Sequence, residues 1–170
     1  MKLYSSKVPV IAMDIVRLLT AEKDIEVGST KEVEADIEAV LREYLRMERD
    51  LTEKAKDRVE QLGGGREDIS RVKKNLAEQR NIGLGGDAIS YILNQILTML
   101  MRSPSVDEVF SDDDVIRRKC KKVLERHMAA EEDLEKEVRD RMKNFSEGTS
   151  TWDVEYARVT EQVKRRRGIS

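Results

Sequence analysis

Few side chains in this sequence are equipped for chemistry, and their spacing decides what each could do. His127 is the single histidine and Cys120 the single cysteine. An imidazole can act as general base or metal ligand near neutral pH. His127, however, falls on the apolar stripe of a helical pattern, and no second His or Cys exists to complete a zinc site. A half-buried histidine held by a hydrogen bond is the expectation. Cys120 lies on the same stripe, with Lys119 and Lys121 directed to other helix faces. It is expected to be a small buried apolar group, since a nucleophile needs a base that stabilises its thiolate. Asp107, Glu108, Asp112, Asp113 and Asp114 place five carboxylates in eight residues, where a calcium or magnesium ion is conceivable. The order is not that of an EF-hand loop, and negative charge at a helix start is favoured by the macrodipole. Capping within a solvated loop 107–114 is the simpler assignment, and no metal ligand, cofactor site or catalytic residue is assigned.

Two further features point to contact rather than catalysis. Lys164, Arg165, Arg166 and Arg167 form the densest basic run at a helix C-terminus. The macrodipole stabilises cations there, and phosphates or an acidic partner could use them. Trp152, the single tryptophan, stands one turn from Tyr156 and is expected to anchor the core or the contact between the two halves.

The elements that must carry these residues are helical. Apolar spacing predicts helices over 8–19, 31–62, 68–81, 88–101, 114–145 and 150–166, with extended segments at 25–27 and 106–110. Ser29 with Glu32 three residues on forms a capping-box pattern before the first long helix. Asp87 is expected to cap the helix at 88, and Ile69, Val72 and Leu76 are expected to be buried. The helix 88–101 carries Ile92, Leu93, Ile96 and Leu97 on a wide apolar stripe. Its other face, Ser90, Asn94, Gln95 and Thr98, bears no charge, so the helix is expected to be covered on most sides. Glycines 63–65 and 83–86 interrupt the pattern as a stop and a hinge.

The second half repeats the first. Val33, Ile37, Val40, Tyr44, Met47, Leu51, Ala55, Val59 and Leu62 map, at one constant offset, on to Ile116, Cys120, Val123, His127, Ala130, Leu134, Val138, Met142 and Phe145. Only His127 leaves the apolar class. The predicted fold is therefore all-α: two tandem copies, 1–83 and 84–170, of a short helix–extended loop–long helix–short helix unit, packed as one pseudo-symmetric bundle. Composition agrees, with 39% charged residues, two prolines and a formal net charge of −2 over 170 residues. Each half holds 16 Lys+Arg and 17 Asp+Glu, so phosphate binding over a large face is not expected. The single cysteine excludes an intrachain disulfide. Asp14 and Arg17 break any signal-peptide core. The longest uncharged run, 88–101, falls short of the roughly 20 residues a bilayer span needs, so no membrane partner is expected.

Four stretches carry a family resemblance. Met1-Lys2-Leu3-Tyr4-Ser5-Ser6-Lys7-Val8 opens the chain, and Val40-Leu41-Arg42-Glu43-Tyr44-Leu45 lies in the first long helix. Glu147-Gly148-Thr149-Ser150-Thr151-Trp152-Asp153-Val154-Glu155-Tyr156 and Lys164-Arg165-Arg166-Arg167-Gly168 lie near the end. Together they resemble a bacterial family catalogued as domain of unknown function 507, across essentially the whole chain. Some members look like a single copy, and this sequence looks like a tandem form whose first copy lacks the Trp and the triple arginine. The resemblance implies a helical, cytoplasmic, bacterial protein and supplies no activity, substrate or catalytic residue.

Three functions are consistent with these residues. The first is a non-catalytic interaction protein with a protein partner or self-association. The second is a nucleic-acid-associated factor, histone-like in element order, using Lys164 to Arg167. The third is a metal-dependent enzyme built on 107–114. One histidine, one cysteine and no nucleophile–base pair favour the first.

Overall fold

The computed structural model describes residues 2–146 and 148–168. Met1 and Glu147 of the family stretches, with Ile169 and Ser170, lie outside the described residues. The chain is mostly helical.

Val8, Ile11, Ala12, Ile15, Val16 and Leu19 recur at helical spacing, and all are buried along α1, Val8–Ala21. Pro9 sits in the first turn, where its missing N–H has no intrahelical partner to lose. Lys23 closes the helix in the left-handed region at φ 58, and the Asp24 N–H returns to the Leu19 carbonyl at 2.8 Å. Gly63 and Asn81 do the same after the next two helices, with returns from Gly64 to Val59 and from Ile82 to Ala77, each 2.9 Å.

The extended segments become strands. β1, Ile25–Val27, pairs antiparallel with β2, Val106–Val109, so the fold holds a two-stranded ribbon that the all-α expectation leaves out. Ile25 and Val27 alternate in β1, Val106 and Val109 bracket two exposed carboxylates in β2 with a register shift between Glu26 and Val27, and each strand supplies the other's backbone partners.

α2, Thr30–Gln61, starts where Ser29 accepts the Glu32 N–H at 3.3 Å. The expected capping box forms only by half. The Glu32 carboxylate instead accepts the hydroxyl of Ser105, just ahead of β2, at 2.5 Å. α3, Glu67–Gln79, folds back on α2. Ile69, Val72 and Leu76 are only half-buried, and Ala77 is the fully buried residue of α3. A short hairpin arm with one packed face cannot enclose larger side chains.

α4, Ala88–Arg102, follows a 3-10 turn at Gly85–Asp87. Asp87 makes no side-chain cap, because that turn already accommodates the chain entry. Ile92, Leu93, Ile96 and Leu97 are buried. Ser90, Asn94, Gln95 and Thr98 are exposed, contrary to the expectation that α4 is covered on most sides. α5, Asp113–Arg141, ends one turn before the predicted limit. Past Met142 the stripe loses its packing, and Phe145 is 37% exposed. Ala130 is exposed, and Met128 takes the buried place in that turn. α6, Ser150–Arg166, starts at Thr149, whose hydroxyl accepts the Trp152 N–H at 3.1 Å.

Four helices enclose the main core. α1 packs on α2 and α5, and α4 packs on the same two, so the short helices occupy opposite corners. The ribbon ties together the segments that lead into α2 and α5, so both long helices set out from it. Beyond Tyr44 and Met128 the long helices run out of the core. There α3 covers α2, and α6 covers α5 over a second apolar cluster of Leu134, Val138, Met142, Val159 and Val163.

Burial follows the sequence offsets. Ile11, Ala12, Ile15, Val16 and Leu19 of α1 correspond, at the constant offset that takes 11 to 92, to Ile92, Leu93, Ile96, Leu97 and Leu100 of α4, all buried. In the long helices Val33, Ile37, Leu41, Leu51, Ala55 and Val59 correspond, at the offset that takes 33 to 116, to Ile116, Cys120, Leu124, Leu134, Val138 and Met142, again all buried.

Candidate functional site

Two seams of the bundle, α1–α5 and α2–α4, differ in chemistry. The α1–α5 seam is polar. Asp14 of α1 lies 2.7 Å from His127 Nε2 and accepts an Arg126 N–H at 3.0 Å. Asp24, 2% exposed, is the one buried charged residue among those described. Its carboxylate accepts the Ser111 hydroxyl at 2.6 Å and the Lys119 ammonium at 2.7 Å. Lys119 also pairs with Glu22. The Asp24 carbonyl takes the Phe110 N–H at 2.8 Å. Each of these bonds joins the first half of the chain to the second. Removing such a charge from water is costly without partners, and here it has both an ammonium and a hydroxyl.

Cys120 lies beneath this seam. Burial, reinforced by the Asp24 charge, pushes its thiol up to about 12, so it stays protonated and inert at neutral pH. His127 and Asp14 together resemble the base and orienting acid of a relay. Among the described residues no Ser, Thr or Cys side chain hydrogen-bonds to the imidazole. Nor do three His, Cys, Asp or Glu side chains come together as a metal cage among those residues. Asp113 and Asp114 of the acidic loop stand in the first turn of α5.

The α2–α4 seam is apolar. Val40, Tyr44, Met47, Tyr91, Ile92 and Met99 line a cavity of about 330 Å³. The two tyrosine rings lie 5.9 Å apart at 44°. The Tyr44 hydroxyl donates to the Gly83 carbonyl at 3.0 Å, and the Tyr91 hydroxyl points to Met47 Sδ at 3.9 Å. Burial raises the Tyr44 phenol to about 12. Gly83 is required for this approach: a Cβ there would stand 2.5 Å from the Asp87 carbonyl oxygen and 2.9 Å from Tyr91 Cβ. Asp36 and Glu43 edge the cavity, and Asp36 accepts the Ser103 hydroxyl at 2.7 Å. Thioether and phenol walls form a surface that can adapt to an apolar ligand.

The remaining predicted positions fall into separate places. Ile92, Leu93, Ile96 and Leu97 belong to the main core. Trp152 and Tyr156 stack with centroids 4.8 Å apart, half-buried on the second cluster under α6. The aromatic pair therefore braces one arm rather than the contact between halves. At the end of α6, Arg166 and Arg167 both pair with Glu137 of α5, the latter through Nε at 2.9 Å. Those guanidiniums, Arg167 foremost, hold the Glu137 carboxyl below its usual range. Lys164 and Arg165 make no ion pair among the described residues.

Residues 1–169 match the model of the family described as Protein of unknown function (DUF507). The chain belongs to that family. A comparison with curated proteins gives no match. No helix among the described residues of this DUF507 member is long and apolar enough to cross a membrane.

Three groups escape a reading of the sequence alone. Asp24 carries no local signal, because its partners come from residues 111 and 119. Of the groove residues, Met47 reads as a core position while Tyr91 and Met99 fall off the predicted stripe of α4, and only the packing sets the three on one open seam. The run Arg117-Arg118-Lys119-Cys120-Lys121-Lys122 is visible in sequence, yet charge counted over whole halves hides it. A ten-residue window finds six cations against Glu125 between 117 and 126.

Proposed function

We propose that this DUF507 member is a non-catalytic, cytoplasmic, bacterial interaction protein built from two copies of one helical unit, 1–83 and 84–170. The reading rests on the α2–α4 groove as a docking site for an amphipathic helix of a protein partner. The duplication is supported by the burial offsets, each constant along its pair of helices: α1 to α4 as 11 to 92, and α2 to α5 as 33 to 116. The pairing of β1 with β2 joins equivalent segments, as a pseudo-two-fold axis requires.

The groove is the observation that carries the interaction. It offers Val40, Met47, Tyr91 and Met99 between two helical walls, the arrangement that receives anchors at i, i+3 and i+4 of a helix. On its α2 wall Glu34, Asp36, Glu38 and Glu43 stand against Arg42 and Arg46, which pair with Glu38 and Glu43; the rim keeps a net negative charge, so the partner helix carries basic flanks. The absence of catalysis is supported by the inert Cys120 and by a His127 already engaged with Asp14. The alternative, nucleic-acid contact through Lys164 to Arg167, has weaker support because Arg166 and Arg167 share Glu137.

A photo-crosslinking residue at Gln95, exposed on the groove edge, tests the reading in cells. A discrete, nuclease-resistant adduct that disappears with Met99→Glu, while the melting temperature holds, is expected. An adduct of twice the chain mass would make a second copy the occupant. No adduct at Gln95 would remove the groove as a docking site.

A further inference from the structure

The two long helices carry opposite charge at corresponding positions. Glu34, Asp36, Glu38, Arg42 and Glu43 of α2 correspond, at the same offset as the buried stripe, to Arg117, Lys119, Lys121, Glu125 and Arg126 of α5. The core-facing residues between them keep their character, so the reversal is confined to the outer surface.

That surface on α5 is short of counterions. Lys119 is held by Glu22 and Asp24, Arg126 by Asp14, and Lys121 reaches Glu125 at 3.8 Å. Arg117, Arg118 and Lys122 make no ion pair among the described residues. Arg118 and Lys122 stand one turn apart beside α1 and line a hollow of about 410 Å³ with Leu18, Glu22 and Lys119. Arg117 turns to the other side and lines a hollow of about 360 Å³ with Asn94, Thr98 and Arg102 of α4.

α4 completes the surface. From Ala88 to Arg102 it contains no carboxylate, and its exposed residues include the hydroxyl and amide side chains of Ser90, Asn94, Gln95 and Thr98. A solvent-facing helix with so little charge is unusual, and here it lies beside the cationic stretch of α5. Hydroxyls and amides donate to phosphate oxygens as cations do. The aspartates at the start of α5, with Asp113 at the edge of the Arg117 hollow, bound the surface at its ribbon end.

We infer that the joined outer faces of α4 and α5, centred on Arg117, Arg118 and Lys122 with Asn94, Thr98 and Arg102, bind the phosphate backbone of duplex nucleic acid. An acidic protein partner fits less well. Protein interfaces need an apolar centre, and the apolar residues lining the two hollows are Leu18, Met101 and Leu97, the last buried in the core. Unpaired strands fit less well because no aromatic residue lines either hollow, so bases have no stacking platform. The mode is sequence-independent contact, and it stands independently of the groove on the α2–α4 seam.

Anisotropy of a labelled DNA duplex, titrated with the full chain at two salt concentrations, tests this. With about four phosphates neutralised, affinity falls roughly a hundredfold between about 50 and 200 mM salt. The Arg118→Gln/Lys122→Gln variant loses at least about tenfold at the lower salt, with an unchanged melting temperature. The Lys164→Gln/Arg165→Gln variant binds as the parent does. Absence of duplex binding at low salt overturns the inference. So does equal binding by the α5 variant, and so does retention of a polyglutamate probe in place of the duplex.

Discussion

At the scale of single residues, Asp24 does most to join the two halves. Its carboxylate is buried and shared between Ser111 and Lys119. Asp24→Ala leaves the hydroxyl and part of the ammonium without a partner, and unfolding free energy is expected to fall by roughly 2–3 kcal/mol. A urea transition checks this, and a change below about 0.5 kcal/mol would show that water replaces the carboxylate freely. Cys120 gives a pH dependence. Its folded value, about 12, lies above the ordinary 9.0. The native state therefore keeps a proton that the unfolded chain releases, so its contribution is full below pH 9 and declines as pH rises towards 12. Tyr44, raised to about 12 from 10.0, acts in the same direction in the upper part of that window. Urea midpoints measured between pH 8 and 11 should fall with pH, less steeply in Cys120→Ala. Parallel slopes in the two proteins would assign the loss to other groups.

At the scale of elements, burial ranks the helices. α4 presents six buried side chains to the core, and Leu93 is 2% exposed. Leu93→Asp buries an unpaired charge, and loss of the folded state is expected at room temperature. Leu62, past the end of α2, is 76% exposed. Leu62→Asp is expected to change stability by less than about 0.5 kcal/mol. Thermal melts of the pair read out the difference, and a folded Leu93→Asp protein would show that α4 is peripheral. Helix starts differ in how they are capped. Ser29 and Thr149 cap by their hydroxyls, while Asp87 and Asp112 sit at cap positions without doing so.

At the scale of the whole molecule, the chain is a four-helix core with two hairpin arms. α3 buries one residue fully and α6 two, against six in each of α1 and α4. Amide exchange is therefore expected to be fastest in α3 and α6 and slowest in α1 and α4. Uniform protection would mean that the arms unfold only with the core. The charge reversal between α2 and α5 is also a whole-molecule property. It leaves the net charge near zero while giving the outer faces of the two long helices opposite character, acidic on α2 and cationic on α5.

Most of the fold was legible in the sequence, because helical period, glycine breaks and the constant offset between halves are local or arithmetic signals. They located all six helices, both extended segments and most of the buried face of each long helix, although Leu41 and Leu124 are buried beside the predicted stripe and Leu62, Ala130 and Phe145 on it are exposed. Partner choice decided the rest. Whether Ile25 to Val27 finds a strand to pair with, whether Glu32 turns to its own helix end or to Ser105, and whether the uncharged side of α4 is covered are set by what lies across the gap. Asp24 became a buried junction, and Met47, Tyr91 and Met99 became a groove, only when segments far apart in the chain were brought together. Periodicity records which side of a helix avoids water; it carries no record of which element arrives to exclude it.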